Sequence, residues 1–358
     1  MLKKSVYLLY FILISLFISF CIQIINNYLY WEDISTSLSK VSNPYSLKSS
    51  TYTLKSAFHL HSDELILSPQ RHSISDIFEI YKNYKYDLIV ISDYNFISKY
   101  NNDNVSIPSF EWGMNIRKRH LLAIGSDNVP PYFFFYSPFI ENIQYTITAI
   151  KSNNSFVVIN HPKLNNAFSE DELLKLNNYD AIEIFSPNGD DVGLWDNLLN
   201  KNKRVFCMAT DDLHFFPEEI IVKLEQNFLK SIFQYLHLQR FRDGESLKRY
   251  ILLKLNSINR DEIIKELNNG NFFCAVKFRR EFHDMPVPEL YFDKESITLN
   301  SKSKYSKIYI IGNNKKILKK IDDSMNFKYE VPKDYKGYLR IEFWDFSGVV
   351  YSNPIWIE

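Results

Sequence analysis

Five of the eight histidines in this 358-residue chain, His59, His61, His120, His161 and His214, stand at the ends of short apolar runs, and so do Glu111 and Asp212. Neutral imidazole and carboxylate are the donors that Zn, Mn and Fe ions take. The chemistry these residue types suggest is a metal-ion cluster used for hydrolysis. His59 and His61 flank Leu60 where a run ends, and the period of two along a strand turns both imidazoles to one face. Asp93, Glu111, His161 and the triplet Asp212-Leu213-His214 close four further runs. In parallel α/β folds, groups at the carboxyl ends of strands gather over one mouth. His120 is the exception, since it begins its run. A lone His-x-His pair or a single acid at a strand end is usually incidental; their concentration in equivalent places is the signal. His72, His237 and His283 lack that setting and read as helix-start, amphipathic-helix and loop residues.

The elements that must position these side chains follow a repeated rhythm. Strand-like runs at 54–60, 87–91, 105–110, 120–124, 155–160, 181–185 and 204–209 alternate with amphipathic stretches at 73–84, 142–152 and 191–199. That pattern predicts an α/β fold with mostly parallel strands, as a barrel or an open sheet. Residues 217–268 read as longer helical segments, with Gly270 as the stop. Beyond Pro286 the texture changes to short strands separated by turns, the pattern of a small β-sandwich of about 70 residues.

Composition narrows the function classes. Lys+Arg and Asp+Glu both number 42, and no basic stripe is present, so a nucleic-acid partner is not expected. With only 9 glycines there is no glycine-rich phosphate loop. A hydrophobic share of 46% provides for a sizeable core. Cys207 and Cys274 lie in strand-like stretches without a zinc-type Cys-x-x-Cys partner, which leaves two inert buried thiols or one disulfide between them. Lys3 and Lys4 precede an apolar stretch whose core is Val6 to Ile25, followed by Tyr28, Tyr30 and Trp31. That arrangement predicts an uncleaved single-pass transmembrane helix with a cytoplasmic N-terminus and an extracytoplasmic catalytic domain. The expected division is an anchor at 1–31, a linker at 32–54, a catalytic domain at 55–284 and a β-domain at 285–358.

Six segments, taken in order, carry a resemblance. Ala57-Phe-His-Leu-His-Ser62, Tyr86-Asp-Leu-Ile-Val-Ile-Ser-Asp-Tyr-Asn95 and Ile107-Pro-Ser-Phe-Glu-Trp112 come first. His120-Leu-Leu-Ala-Ile-Gly125, Ile159-Asn-His-Pro162 and Ala209-Thr-Asp-Asp-Leu-His214 follow. Together they resemble the ordered motifs of the PHP (polymerase and histidinol phosphatase) superfamily over roughly residues 55 to 284. The resemblance implies a distorted (β/α)7 barrel and up to three metals. It implies one metal position at His59, His61, Glu111 and Asp212, and another at Glu111, His120 and His161. The chain departs from the family pattern in two places. Asp93-Tyr94-Asn95 stands where Asp-His-Asn is usual, and Glu64-Leu65-Ile66-Leu67 stands where a further ligand is common. Both losses fall on a third position whose remaining ligand would be His214, so two divalent ions (Zn, Mn or Fe) are expected.

Two ions about 3.5–4 Å apart can activate water and clamp the oxygens of an in-line displacement. The expected reaction is hydrolysis of a small phosphate ester, with Glu111, Asp212 and His214 as the catalytic residues. Tyr94, Arg71 and Arg117 are candidates for holding the substrate. The rival expectation is a catalytically degenerate, membrane-tethered module that binds a glycan or an envelope protein.

Overall fold

A computed structural model describes residues 2–29, 43–46, 50–64, 72–100, 105–131, 138–152, 154–214, 216 and 245–358. The first helix, α1, runs Leu2–Leu29. Among the described residues no helix is long and apolar enough to cross a membrane. The expected transmembrane anchor is therefore overturned, and with it the membrane partner and the placement of the domains on its two sides.

The expected (β/α)7 barrel is also overturned, because the strands form two sheets. One is ten-stranded and the other five-stranded. The five-stranded sheet is ordered β3 (Ser109–Trp112), β4 (Leu121–Ile124), β5 (Phe156–Ile159), β6 (Ala181–Phe185) and β7 (Phe206–Ala209). Only its last two pairings, β5 with β6 and β6 with β7, are parallel; β3, β4 and β5 alternate in direction. In the larger sheet β1 (Tyr52–Ala57) pairs in parallel with β2 (Leu88–Ile89) on one side. On its other side it pairs antiparallel with β8 (Arg249–Leu255), within a stretch the sequence pattern assigns to helix. β8 in turn carries β9 (Phe272–Lys277). Antiparallel neighbours need no crossover helix, which is why the expected strand–helix repeat breaks down here.

The C-terminal strands extend this same sheet. β9 pairs with β14 (Gly348–Ser352), which pairs with β13 (Gly337–Asp345). β11 (Ser296–Gly312) joins β13, β10 (Glu289–Phe292) and β12 (Lys316–Glu330), and β15 (Ile355–Ile357) closes on β13. Four of the short strands expected from the sequence merge into two long ones, β11 and β12.

Helices α2 (Ile74–Asn83), α3 (Ile140–Lys151) and α5 (Val192–Asn200) lie where the periodicity places amphipathic stretches, α6 (Arg260–Asn269) falls at the end of the expected helical run, and α4 (Glu170–Lys175) has no counterpart in the sequence pattern. Ser73 caps α2 by accepting from the Asp76 amide, and Ser169 with Glu172 forms a capping box on α4. Gly270 ends α6 at φ 72°, and a Cβ there would meet the Phe206 ring at 2.5 Å. Trp112, Phe156 and Trp195 anchor the core between the five-stranded sheet and its helices. Cys207 and Cys274 form a disulfide that ties β7 to β9, and so one sheet to the other.

Candidate metal centre

The two sheets meet through two isolated bridges, Leu60 with Leu213 and Tyr94 with Glu111. The chain past β1 carries His59 and His61 inward on either side of Leu60, and all three are buried. Glu111 lies on β3. His120 immediately precedes β4, and the antiparallel pairing of Trp112 with Leu121 brings it to the end of the sheet that Glu111 occupies. Strand direction thus explains the one histidine that entered from the wrong side in a parallel reading. His161 follows β5 and Asp212 follows β7, at φ 27° and φ 41°. Positive φ is uncommon for residues other than glycine and persists where the surroundings over-determine it, most often at functional sites.

Two groups of ligand-type atoms result, each gathered within 4.8 Å: His59, His61, Glu111 and Asp212, and Glu111, His120 and His161. Glu111 belongs to both. In the first group His59 Nε2 lies 3.3 Å from Glu111 Oε1 and 3.3 Å from Asp212 Oδ1. His61 Nε2 lies 3.1 Å from Glu111 Oε2 and 3.4 Å from Asp212 Oδ1. A tetrahedral ion with bonds of about 2.0–2.1 Å separates its ligands by roughly 3.3 Å, and these spacings fit it. In the second group Glu111 Oε1 is 2.9 Å from His120 Nδ1 and 3.2 Å from His161 Nε2.

The hydrogen-bond inventory supports the same fit. His59 Nε2, both ring nitrogens of His61, Glu111 Oε2, His120 Nε2, His161 Nδ1 and Asp212 Oδ1 are buried without a hydrogen-bond partner. Buried polar groups are normally satisfied, because desolvating them otherwise costs about 1–3 kcal/mol each. Of these seven atoms, His59 Nε2, His61 Nε2, Glu111 Oε2 and Asp212 Oδ1 face one another and have the character of donors meant for a cation, whereas His120 Nδ1 and His161 Nε2 bond to Glu111 Oε1.

The electrostatics are those of a site that holds protons when it holds no ion. Burial disfavours the charged form of His59, but Glu111, Asp212 and Glu183 outweigh it and hold its pKa well above the usual value. His61 and His161 are likewise raised against their burial, by the carboxylates beside them. His120 is lowered, since burial there prevails over Glu111. Glu111 and Asp212 are buried as well, yet the imidazoles pull both well below the carboxylate range.

His214 falls in neither ligand group. Its Nδ1 donates to the Asp212 carbonyl at 2.9 Å, which leaves Nε2 to accept from the Tyr94 hydroxyl at 3.2 Å. Burial, with Glu111 and Asp212, pushes the Tyr94 phenol well above its usual pKa and keeps it protonated. The Tyr94 ring stacks on His61 at 4.4 Å. Arg117 is engaged elsewhere: its Nε donates to the Asn166 carbonyl, and its guanidinium lies 3.8 Å from Glu172. Arg71 and His237 lie outside the described residues. His72 is structural, accepting the Phe216 amide and packing on that ring.

Sequence reasoning passed over three residues that touch the cluster. Asn160 donates to Glu111 Oε1 at 2.8 Å, Asn188 donates to Asp212 Oδ2 at 2.7 Å, and Glu183 accepts from His59 Nδ1 at 2.6 Å. Asn160 lies inside the quoted Asn-His-Pro segment and could have been found there. Glu183 is an acid amid four apolar residues of β6, which is itself a signal. Asp93 serves the scaffold, accepting the Ser62 amide and hydroxyl at 2.6 Å each.

No family model matches the chain, and no curated protein matches it. Among solved structures, a two-domain protein containing a predicted PHP-like metal-dependent phosphoesterase from Bacteroides vulgatus ATCC 8482 is similar at 13% identity. The match covers 88% of this chain and 100% of that one, with a TM-score of 0.43.

Proposed function

We propose that this protein is a metal-dependent phosphoesterase with two divalent ions. The observation that carries the reading is the shared carboxylate: Glu111 joins a group of four ligands to a group of three, and in the group of four His59 Nε2, His61 Nε2, Glu111 Oε2 and Asp212 Oδ1 are left without hydrogen bonds. Divalent ions in such a place polarise a phosphoryl oxygen and lower the pKa of a water.

The two groups differ in a way that assigns them work. Four protein ligands close a tetrahedral site, whereas three leave a position for water or substrate. His59, His61, Glu111 and Asp212 are the closed side, and Glu111, His120 and His161 are the side that receives the ester. Asn160 and Asn188 hold the two carboxylates in orientation by donating to Glu111 and Asp212. Tyr94 keeps its proton at the hydroxyl, pointed at His214 Nε2. A proton for the leaving oxygen is therefore held at the edge of the site by this pair. By the resemblance, Tyr94 stands where a ligand of a third position is usual and His214 is that position's remaining ligand, which favours two ions over three.

Metal analysis of the purified chain should give about two ions, and a screen of phosphomonoesters and diesters with Mn and Zn should reveal turnover. Glu111→Ala removes the shared ligand, so both ions and activity should fall to background. Full activity in that variant overturns the proposal. Two bound ions with no ester hydrolysed would leave a binding module in its place.

A further inference from the structure

Glu183 belongs to neither ligand group, yet it touches three of the segments that carry them. It sits in the middle of β6, a strand that supplies no ligand, and is wholly buried. Its Oε1 accepts from His59 Nδ1 at 2.6 Å and from the Thr210 hydroxyl at 2.7 Å. Its Oε2 accepts the backbone N–H of His161 at 2.8 Å. Both oxygens are thereby satisfied, as a buried carboxylate requires.

Other buried acids make a useful contrast. Asp180 accepts from the Lys151 ammonium and the Val157 amide. Asp211 accepts from the Tyr81 hydroxyl and the amides of Leu247, Lys248 and Arg249. Those acids tie scaffold to scaffold. Every donor to Glu183 is a ligand of the centre or stands two residues from one.

The bond at Nδ1 decides which nitrogen of His59 is free. A neutral imidazole carries one N–H. With that hydrogen directed at Glu183, the lone pair is on Nε2, the atom 3.3 Å from both Glu111 and Asp212 and without a hydrogen bond. A carboxylate behind the ring is the usual means of fixing a ligating histidine's tautomer and raising its basicity. The same carboxylate grips the backbone at His161, whose φ of 27° needs support from its surroundings. Through Thr210 it also grips the turn that leads to Asp212, at φ 41°. We propose that Glu183 is a positioning residue that presents His59 Nε2 to the ion and locks the ends of β5 and β7 around it. This inference rests on the reading of the cluster as a metal centre.

The experiment is a zinc titration of the metal-stripped full chain by calorimetry, paired with thermal unfolding of the same samples. Glu183→Gln keeps the shape but sets an amide NH2 against one of the donors. Its zinc affinity should fall by about 10–100-fold, the usual effect of removing such a partner. Nitrogen NMR of the zinc-loaded protein should show a strongly hydrogen-bonded His59 Nδ1–H in the wild type whose signal shifts in the variant, because glutamine offers at most a neutral amide oxygen as acceptor. A residue that merely supports the fold would lower the unfolding midpoint and leave affinity and the ring signal unchanged. Thr210→Val removes one donor from the carboxylate and decides the matter if Glu183→Gln does not fold; a weaker zinc affinity is expected. Affinity within about twofold of wild type in the folded variant overturns the inference. Failure of the wild type to bind zinc is a separate outcome, seen before any variant is compared, and overturns the metal-centre reading itself.

Discussion

Arg340 on β13 and Glu111 on β3 are both charged residues placed on strands and buried, but their surroundings are arranged in opposite ways. Arg340 meets Asp196 of α5 through two parallel bonds, Nε to Oδ1 at 2.7 Å and a terminal nitrogen to Oδ2 at 2.8 Å. Its third nitrogen donates to Glu342 at 2.6 Å, and Tyr338 and Trp344 donate to the same two acids. The guanidinium also lies over the rings of Trp195 and Tyr351. Every charge there has its partner within the chain. Around Glu111 the carboxylates face imidazoles at contact distance with seven atoms of the ligand residues lacking a hydrogen bond. One cluster is complete as folded, and the other is complete only with cations added. A buried ion network by itself therefore says little about function; the unmet valences do.

The largest effect that separates the two is on folding. Arg340→Met strands Asp196 and Glu342 and should cost about 3–5 kcal/mol of stability. Zinc affinity should be unchanged wherever the variant remains folded. Denaturant unfolding beside a zinc titration checks both, and a variant that lost metal binding in proportion to stability would erase the distinction.

A smaller effect comes from adding the missing cations. Zinc at about a hundredfold over its dissociation constant should stabilise the wild type by about 2.7 kcal/mol. Glu111→Ala should gain nothing. An equal rise in midpoint for both proteins would place the ion elsewhere.

The subtlest contrast is in pH. In chelator, Glu111 and Asp212 are held well below carboxylate values of about 4, so the stability they contribute is present above that pH and lost as pH falls through their lowered values. His59, His61 and His161 are held above the imidazole value of about 6.5. Their contribution is full below that pH and lost as pH rises through the raised values. The metal-free chain should accordingly be most stable between about pH 4 and pH 6.5, and zinc should move the optimum toward neutrality by displacing the imidazole protons. Midpoints that keep rising above neutral pH in chelator would count against the proton-holding site.

The same contrast explains what could be read from the sequence. The metal-type residues were legible because each stands where an apolar run stops or, for His120, begins, and strand ends are where the chain turns side chains toward a common mouth. The helices α2, α3 and α5 were legible because one face of each is apolar. Strand order was not. Nothing in Leu121–Ile124 says that β4 runs against β3, and nothing in Arg249–Leu255 says that this segment inserts beside β1. The barrel expectation failed on those two pairings. Arg340 and Asp196 were invisible for a different reason: 144 residues separate them, and neither stands out from its neighbours. Glu183 was missed because an acid inside a short apolar strand could as easily face solvent.

The disulfide between Cys207 and Cys274 bears on how the protein has to be made. β7, which holds one cysteine, leads within a few residues to Asp212, and the other cysteine lies on the far sheet, 67 positions along. The bond can close only after synthesis has passed β9, by which time every ligand residue has already emerged. A preparation from a reducing host would then contain the ligands without the clasp that holds their two sheets together. Weak metal loading in such a sample would reflect its redox history before it reflected the site.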